Sequence, residues 1–152
     1  MKIEAKELFE ALKSVKFTEV SSLPVLNCVF FYVRDGQLEL ITTNLDNAKR
    51  AEILCINSIT NADENWYTCV PMVLKYTPCY EGRNSKVKHK GYPLLDFVKT
   101  CDKDVLEFTL DKNIMTLAID GENYHTTLKC IDGEEFPVGR CHELLAEKEI
   151  AS

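Results

Sequence analysis

The chain has 152 residues, of which 45% are hydrophobic and 28% are charged, and its formal net charge is −6. This length suits one domain that buries roughly two-thirds of the surface of its unfolded chain. The acidic balance excludes wholesale electrostatic binding of nucleic acid but allows a local basic face. No apolar run reaches the length of a membrane span, and "MKIEAKELFEALKSV" carries charges where a signal peptide needs its apolar segment. We therefore expect a cytoplasmic protein with no membrane partner.

Residues 4–15 predict an amphipathic helix. The apolar side chains recur at the i, i+3, i+4, i+7 spacing of one helix face. They are Ala5, Leu8, Phe9, Leu12 and Val15. The other side of this helix is charged, with Lys6, Glu7, Glu10, Lys13 and Lys16. We expect this helix to bury its apolar stripe against a sheet.

Four strand-like runs follow the first helix. Pro24 restricts the residue before it to extended geometry. The runs cover residues 26–34, 37–43, 49–56 and 66–70 and are rich in β-branched and aromatic side chains. Asp35-Gly36 separates the first two runs and is a strong signal for a tight hairpin turn.

The segment "KYTPCYEGRNSKVKHKGYP" predicts a long loop, inserted over residues 75–92, because proline and glycine interrupt it repeatedly. Five cations stand against one carboxylate over residues 75–90, which gives a local charge of +4 (five minus one). The cations are Lys75, Arg83, Lys86, Lys88 and Lys90, and the carboxylate is Glu81. A solvated surface excursion and a functional basic surface both remain open for this loop.

The last third of the chain predicts a second helix, three strands and a tail. Pro93 suits the first turn of a helix over residues 93–101, and Lys99 and Lys103 fall on its polar side. The strands lie in "VLEFTLDKNIMTLAIDGENYHTTLKCI", which alternates apolar and polar residues. Residues 140–152 predict a short acidic helical tail. The whole order indicates an α+β domain over residues 1–139, with an antiparallel sheet and two amphipathic helices on one face.

The residues that could carry chemistry form no recognisable site. The seven cysteines are an odd number and include no C-x-x-C pair, so we predict reduced, structural thiols and no metal site. The histidines lack the spacing of zinc ligands. Because no nucleophile stands beside a base, we expect neither an enzyme nor a cofactor. The alternative is a cysteine–histidine hydrolase assembled from distant positions.

Several segments, in a fixed order, carry a family resemblance. They are "SSLPVLNCVFFYV", "DGQLELITTNLD", "AKRAEI", "CVP", "LLDFVKTCDKD", "LEFTLDKNIMTLAIDG" and "EEFP". In this order they resemble the first domain of the bacterial sliding clamp, the beta subunit of the replicative DNA polymerase III. The matching family elements are a Leu-Pro segment, a Gly-x-Leu-x-Leu hairpin, a Val-Pro, a Leu-Leu-Asp helix, two strands and a closing Phe-Pro. The match covers about residues 1–137.

The resemblance implies a clamp domain with no catalytic residue. Clamps of this family close a ring around duplex DNA, and lysines on the helices that line the hole lie near phosphates without reading sequence. It thus implies a DNA-binding role for the helix lysines Lys6, Lys13, Lys16, Lys99 and Lys103. The basic loop is a second candidate DNA-binding surface, with Arg83, Lys86, Lys88 and Lys90.

The chain also departs from the family pattern. The family chain carries three such domains and two chains close the ring, so a ring of this domain would need a homo-oligomer or other clamp and replication proteins as partners. The basic residue that precedes the family's Leu-Pro segment is absent from residues 19–22, and its basic turn is replaced by "DGENYH". Two hypotheses follow. One is a replication-related clamp that binds duplex DNA, and the other is a protein-interaction module that kept the fold, lost DNA binding and joins partners through sheet edges.

Overall fold

The structure is a computed structural model that describes residues 2–17, 21–34, 36–56, 66–72, 74–78, 88–101, 103–119, 121 and 124–151, without side chains for 74–78, 88–91 and 149–151. Its α-helices are α1 (Ala5–Val15), α2 (Pro93–Thr100) and α3 (Val138–Ala151). The strands before α2 are β1 (Lys2–Glu4), β2 (Cys28–Arg34), β3 (Gln37–Thr43), β4 (Ala48–Leu54), β5 (Trp66–Pro71), β6 (Leu74–Pro78) and β7 (Lys88–Gly91). The strands after it are β8 (Val105–Asp111), β9 (Ile114–Ile119), β10 (His125–Lys129) and β11 (Ile131–Asp132).

The strands form two main antiparallel sheets and one separate hairpin. One sheet has four strands in the order β1-β8-β9-β10, and the other has five in the order β11-β5-β2-β3-β4. Strands β6 and β7 pair only with each other within the described chain. The fold class expected from the sequence is confirmed, and the predicted sheet is divided into these two layers.

Two tight turns set the register of the hairpins. Arg34 pairs with Gln37, and Gly36 between them has a φ of 76°. In the β8–β9 hairpin, Lys112 and Asn113 have φ values of 46° and 66°, the left-handed pair that a type I′ turn requires. Because a slip of one residue would turn every side chain to the wrong face, these turns determine which residues reach the core.

The main core lies between helices α1 and α2 and the inner faces of both sheets. Leu8 and Leu12 of α1 and Leu95 and Val98 of α2 are all buried there, as the apolar stripes predict. Phe31 from the five-stranded sheet and Phe108 from the four-stranded sheet meet in the same core, with ring centroids 6.1 Å apart. Both helices therefore belong to one layer, and their charged sides are left outside.

Helix α3 makes a second core on the outer face of the five-stranded sheet. Phe30 and Ile41 of the sheet pack there with Phe136 and with Cys141 of the helix. The sequence predicted only a helical tail over residues 140–152. The helix begins at Val138 and docks on the sheet because the outward positions of β2 and β3 are apolar where it lies.

The loop prediction for residues 75–92 differs from the structure at both ends. Strands β6 and β7 occupy these ends, with Leu74 opposite Gly91 and Pro78 opposite Lys88. The sequence did not predict these strands because apolar and polar residues do not alternate in β7. Strands β6 and β7 pair with each other through backbone hydrogen bonds, which need no such alternation. Residues 79–87, the middle of the predicted loop, lie outside the described residues.

The cysteines within the described residues are free thiols. Cys28, Cys69, Cys101, Cys130 and Cys141 are buried, and Cys55 is half-buried. Burial raises the pKa of Cys28 and of Cys69 to about 12. These thiols therefore act as small core side chains, as predicted, and Cys79 lies outside the described residues. Within the described chain, no cluster of three or more potential ligands could hold a metal ion.

None of the described helices is both long enough and apolar enough to cross a membrane.

Replacing Leu12 with alanine should lower the free energy of unfolding by about 2–5 kcal/mol, because Leu12 is fully buried and a cavity would remain. Glu10→Ala, on the exposed side of the same helix, is the control and should change it by less than about 0.5 kcal/mol. Urea denaturation measures both. A cost for Leu12→Ala as small as that of the control would mean that α1 is not docked on the sheets.

The free energy of unfolding should fall as the pH rises from about 9 toward about 12. Unfolded thiols ionise near the ordinary pKa of 9.0, whereas Cys28 and Cys69 keep their protons until about 12. The native state then binds more protons than the unfolded state, so stability decreases with pH, by at most about 1.4 kcal/mol per pH unit for each thiol.

Urea denaturation at several pH values, on the wild type and on a Cys28→Ala/Cys69→Ala variant, measures this effect. The variant should have the shallower pH dependence. Equal slopes for the two proteins would contradict the proposed burial of both thiols.

Candidate nucleic-acid interface

The solvent-exposed side of α1 and α2, here called the helix face, carries the lysines predicted to lie near DNA. The two helices run antiparallel. The amide of Ala5 at the start of α1 donates to the carbonyl of Asp104, beyond the end of α2, at 3.0 Å. At the other end, Lys16 follows α1 and its Nζ lies 3.9 Å from the ring centroid of Tyr92, which precedes α2. The helix face is thus one continuous surface with two distinct ends.

One end of the helix face holds three lysines, Lys13, Lys16 and Lys49, here called the lysine cluster. The Nζ of Lys13 lies 5.3 Å from the ring centroid of Phe9. The Nζ of Lys49 donates to the backbone carbonyl of Lys16 at 2.9 Å and lies 4.5 Å from the ring centroid of Phe17. Ring contacts of this kind contribute about 0.5–1 kcal/mol at exposed sites. Each of the three ammonium groups thus lies over an aromatic ring at this end of the face.

The end of α1 itself also favours this cluster. Carbonyls in the last turn of a helix lack partners inside the helix and carry partial negative charge. Lys13 lies in the last turn of α1 and Lys16 is its C-terminal cap. Their charges are therefore stabilised by the helix even without DNA.

Lys49 was missed by the sequence analysis. It lies in strand β4, 33 residues from Lys16, and was read only as the start of a strand. Only the packing of α1 against the five-stranded sheet brings it to the helix end. No local pattern in the sequence could have indicated this neighbour.

The other end of the helix face is mixed in charge. Lys6 is exposed in a shallow groove that it shares with several carboxylates. These are Glu4, Glu7, Glu10 and Glu52. Lys99, in the last turn of α2, and Lys103, just beyond it, are both exposed near this end. Lys6 therefore lies in an acidic environment that opposes phosphate binding.

The helix face is not strongly basic, because its lysines and its carboxylates are nearly equal in number. The predicted lysines are five: Lys6, Lys13, Lys16, Lys99 and Lys103. The carboxylates over the same stretches, residues 4–16 and 93–104, are six: Glu4, Glu7, Glu10, Asp96, Asp102 and Asp104. Among the described residues, the ion pairs join Arg50 to Glu39 and Glu52, and Arg140 to Glu143, so the helix lysines neutralise none of the described carboxylates directly. The lysine cluster lies at the end of the face away from Glu4 and Glu7.

Two residues of the predicted basic loop, Arg83 and Lys86, lie outside the described residues. Lys88 and Lys90 belong to strand β7, whose backbone is described but whose side chains are not. The role of these four residues stays a prediction.

Comparison with known proteins identifies the fold. No protein-family model matches the chain, and no curated protein matches it. Solved structures match over 90% of the chain. A DNA polymerase sliding clamp from Pseudomonas aeruginosa superposes with a TM-score of 0.68 at 19% identity. The DNA polymerase III subunit beta of Bartonella birtlesii gives 0.67 at 19%, and the beta clamp of Helicobacter pylori, bound to a DNA ligase peptide, gives 0.67 at 12%.

The chain spans about a third of the length of the sliding clamps it matches. The chain covers 31% of the Pseudomonas chain and of the Helicobacter chain, and 32% of the Bartonella chain. At these identities the similarity is one of fold alone. The 152-residue chain has the fold of the bacterial sliding clamp over about a third of the length of the clamps it matches, as the sequence motifs had indicated.

Proposed function

We propose that the protein is a non-catalytic, sliding-clamp-like protein that associates with duplex DNA without sequence specificity and serves DNA replication in the cytoplasm. The observation that carries the proposal is the helix face. Two antiparallel helices in one layer, on the side opposite α3, present exposed lysines and end in the lysine cluster. The matched structures, which are described as sliding clamps of DNA polymerase, supply the replication context.

The chemistry required of such a face is modest. Lysine ammonium groups attract phosphate oxygens as point charges, and flexible side chains keep the contact while the DNA moves. A face with few cations and interspersed carboxylates binds weakly, which suits sliding. Lys13 and Lys16 of the cluster, with Lys99 on α2, are the proposed contact residues, while Lys6 contributes least because of its acidic neighbours.

A ring would require several copies of this domain or other clamp proteins. Two strands at sheet ends are available for such contacts, β4 in the five-stranded sheet and β10 in the four-stranded sheet. Leu54, the last residue of β4, is 69% exposed. The surface beside β4 is acidic, with Glu52 and the carboxylates at the start of α1, and Lys129 is exposed on β10. Opposite charges at the two edges favour a head-to-tail arrangement of copies.

The second candidate function is a protein-interaction module that has lost DNA binding. The near-balanced charge of the helix face and the net charge of −6 favour it. Both functions use the same fold and the same sheet edges. DNA binding at low salt separates them.

Duplex binding should ignore sequence and weaken with salt, with a log–log slope of about −0.9 for each phosphate neutralised. Lys13→Glu/Lys99→Glu should abolish this binding, because it removes one cation from each helix and adds a carboxylate in its place. Lys112→Glu/Lys148→Glu is the matched control. It changes the net charge equally at exposed positions outside the helix face and should retain most of the binding.

Reversal of Arg83 and Lys86 to glutamate tests the basic loop. If the loop only attracts DNA at long range, this variant should slow association and leave dissociation nearly unchanged. Stopped-flow kinetics measures both rates. Absence of wild-type binding at low salt, or equal loss in the Lys112/Lys148 control, would refute the DNA-binding proposal and leave the interaction module.

A further inference from the structure

The outer face of the five-stranded sheet carries a second site that the clamp role does not use. Helix α3 covers only part of this face. Beside the start of α3, an open groove of about 600 Å³ remains, here called the outer groove. Its main lining consists of the rings of Phe30, Tyr32, Tyr67 and Phe136 and the carboxylates of Glu39 and Glu134.

The four rings form one connected aromatic surface. Phe30 stacks on Phe136 with centroids 4.9 Å apart and lies 6.2 Å from Tyr32 and 5.9 Å from Tyr67. Tyr32 and Tyr67 are cross-strand neighbours with centroids 6.1 Å apart. Tyr67 is 42% exposed. Phe30 and Phe136 are buried in the second core, so the ring exposed to solvent is that of Tyr67, supported by its aromatic neighbours.

The Tyr67 ring packs directly against Gly133, which has no side chain to occupy that space. A Cβ at residue 133 would lie 2.3 Å from Cδ2 of Tyr67, a distance that no side chain permits. Asp132 accepts a hydrogen bond from the amide of Glu134 at 3.0 Å and so orients the short turn. This turn brings the carboxylate of Glu134 to 3.4 Å from the Tyr67 hydroxyl.

The electrostatic environment of the groove is negative. The charge of Glu134, with a smaller contribution from Asp132, raises the pKa of Tyr67. Glu39 shares the guanidinium of Arg50 with Glu52, so one cation serves two carboxylates. The groove lining itself holds two carboxylates, Glu39 and Glu134, and one arginine, Arg34. Glu39 is paired with Arg50, so the unpaired negative charge is that of Glu134 beside Tyr67.

Aromatic faces next to carboxylates are the surroundings that bind an organic cation. The groove already contains one example, since the guanidinium carbon of Arg34 lies 5.6 Å from the ring centroid of Tyr32. An anion such as a phosphate would meet the carboxylates, and a purely apolar group would leave them unpaired. A planar guanidinium can stack on a ring while its edge pairs with a carboxylate through two parallel N–H groups, whereas a lysine ammonium meets each only as a point charge.

We propose that the outer groove binds an arginine side chain presented by an extended segment of another protein. The guanidinium stacks on Tyr67 and pairs with Glu134. The site lies on the face of the five-stranded sheet opposite to α1. The proposal therefore does not depend on DNA binding by the helix face.

A short peptide, acetyl-Gly-Ser-Arg-Ser-Gly-amide, is the probe, with versions that carry citrulline or lysine in place of arginine. Titration followed by NMR chemical shifts should place the arginine peptide at Tyr67 and its neighbours. Loss of the charge in the citrulline peptide should weaken binding about tenfold, and the lysine peptide should bind about threefold more weakly than the arginine peptide. These comparisons keep peptide length and backbone constant.

Protein variants then test the residues of the groove. Glu134→Gln should weaken the arginine peptide by about three- to tenfold, and Gly133→Ala should do the same by displacing the Tyr67 ring. Glu147→Gln on α3, which makes the same change of charge at an exposed position outside the groove lining, should leave binding unchanged. Thermal unfolding of each variant verifies that a loss of binding is not a loss of folding.

Several results would overturn the proposal. These are equal binding of the arginine and citrulline peptides, equal binding of the arginine and lysine peptides, and no effect of Glu134→Gln on a folded protein. Self-association of the wild type, if Glu134→Gln abolishes it, would place a second copy of the chain in the groove. This result would also overturn the proposal.

Discussion

The shared core of α1, α2 and the two sheets is the constraint on which the rest of the structure depends. Each helix has a single apolar stripe, and neither can bury that stripe alone. Leu12 of α1 and Val98 of α2 reach the same core as Phe31 and Phe108 from the two sheets. Because the stripes must turn inward, the lysines on the opposite sides must turn outward onto one common surface. The candidate interface is therefore a consequence of packing.

The same packing explains why the charge on that surface is uneven. The start of α1 favours carboxylates and its end favours cations, because of the partial charges at helix ends. Lys49 adds to the basic end because strand β4 lies against α1. The acidic end lies beside the edge of β4, where contacts with another copy are proposed. One arrangement of charges thus bears both on DNA binding and on assembly.

Much of the fold could be predicted from the sequence, since periodicity and turn chemistry are local signals. The stripe of α1, the β2–β3 turn and the order of the later strands follow from neighbouring residues. The candidate site could be predicted only in part. Lys13 and Lys16 follow from helix periodicity, whereas Lys49 and the outer groove depend on contacts between distant segments. Tyr67 and Gly133, for example, are 66 residues apart in the sequence and meet only because β11 pairs with β5.

The two faces of the five-stranded sheet have different roles in this account. The inner face supports the helices that are proposed to meet DNA, and the outer face carries α3 and the aromatic groove. A domain of this kind could hold DNA on one side and a protein segment on the other without competition between them.

The most direct test of the clamp account is the mass of the protein in solution, measured by light scattering with and without a circular duplex. The account predicts that copies assemble on the circular duplex into a complex that survives moderate salt and dissociates when the circle is cut. A protein that stays monomeric in both conditions, or a complex that persists after the circular duplex is cut, would contradict the account.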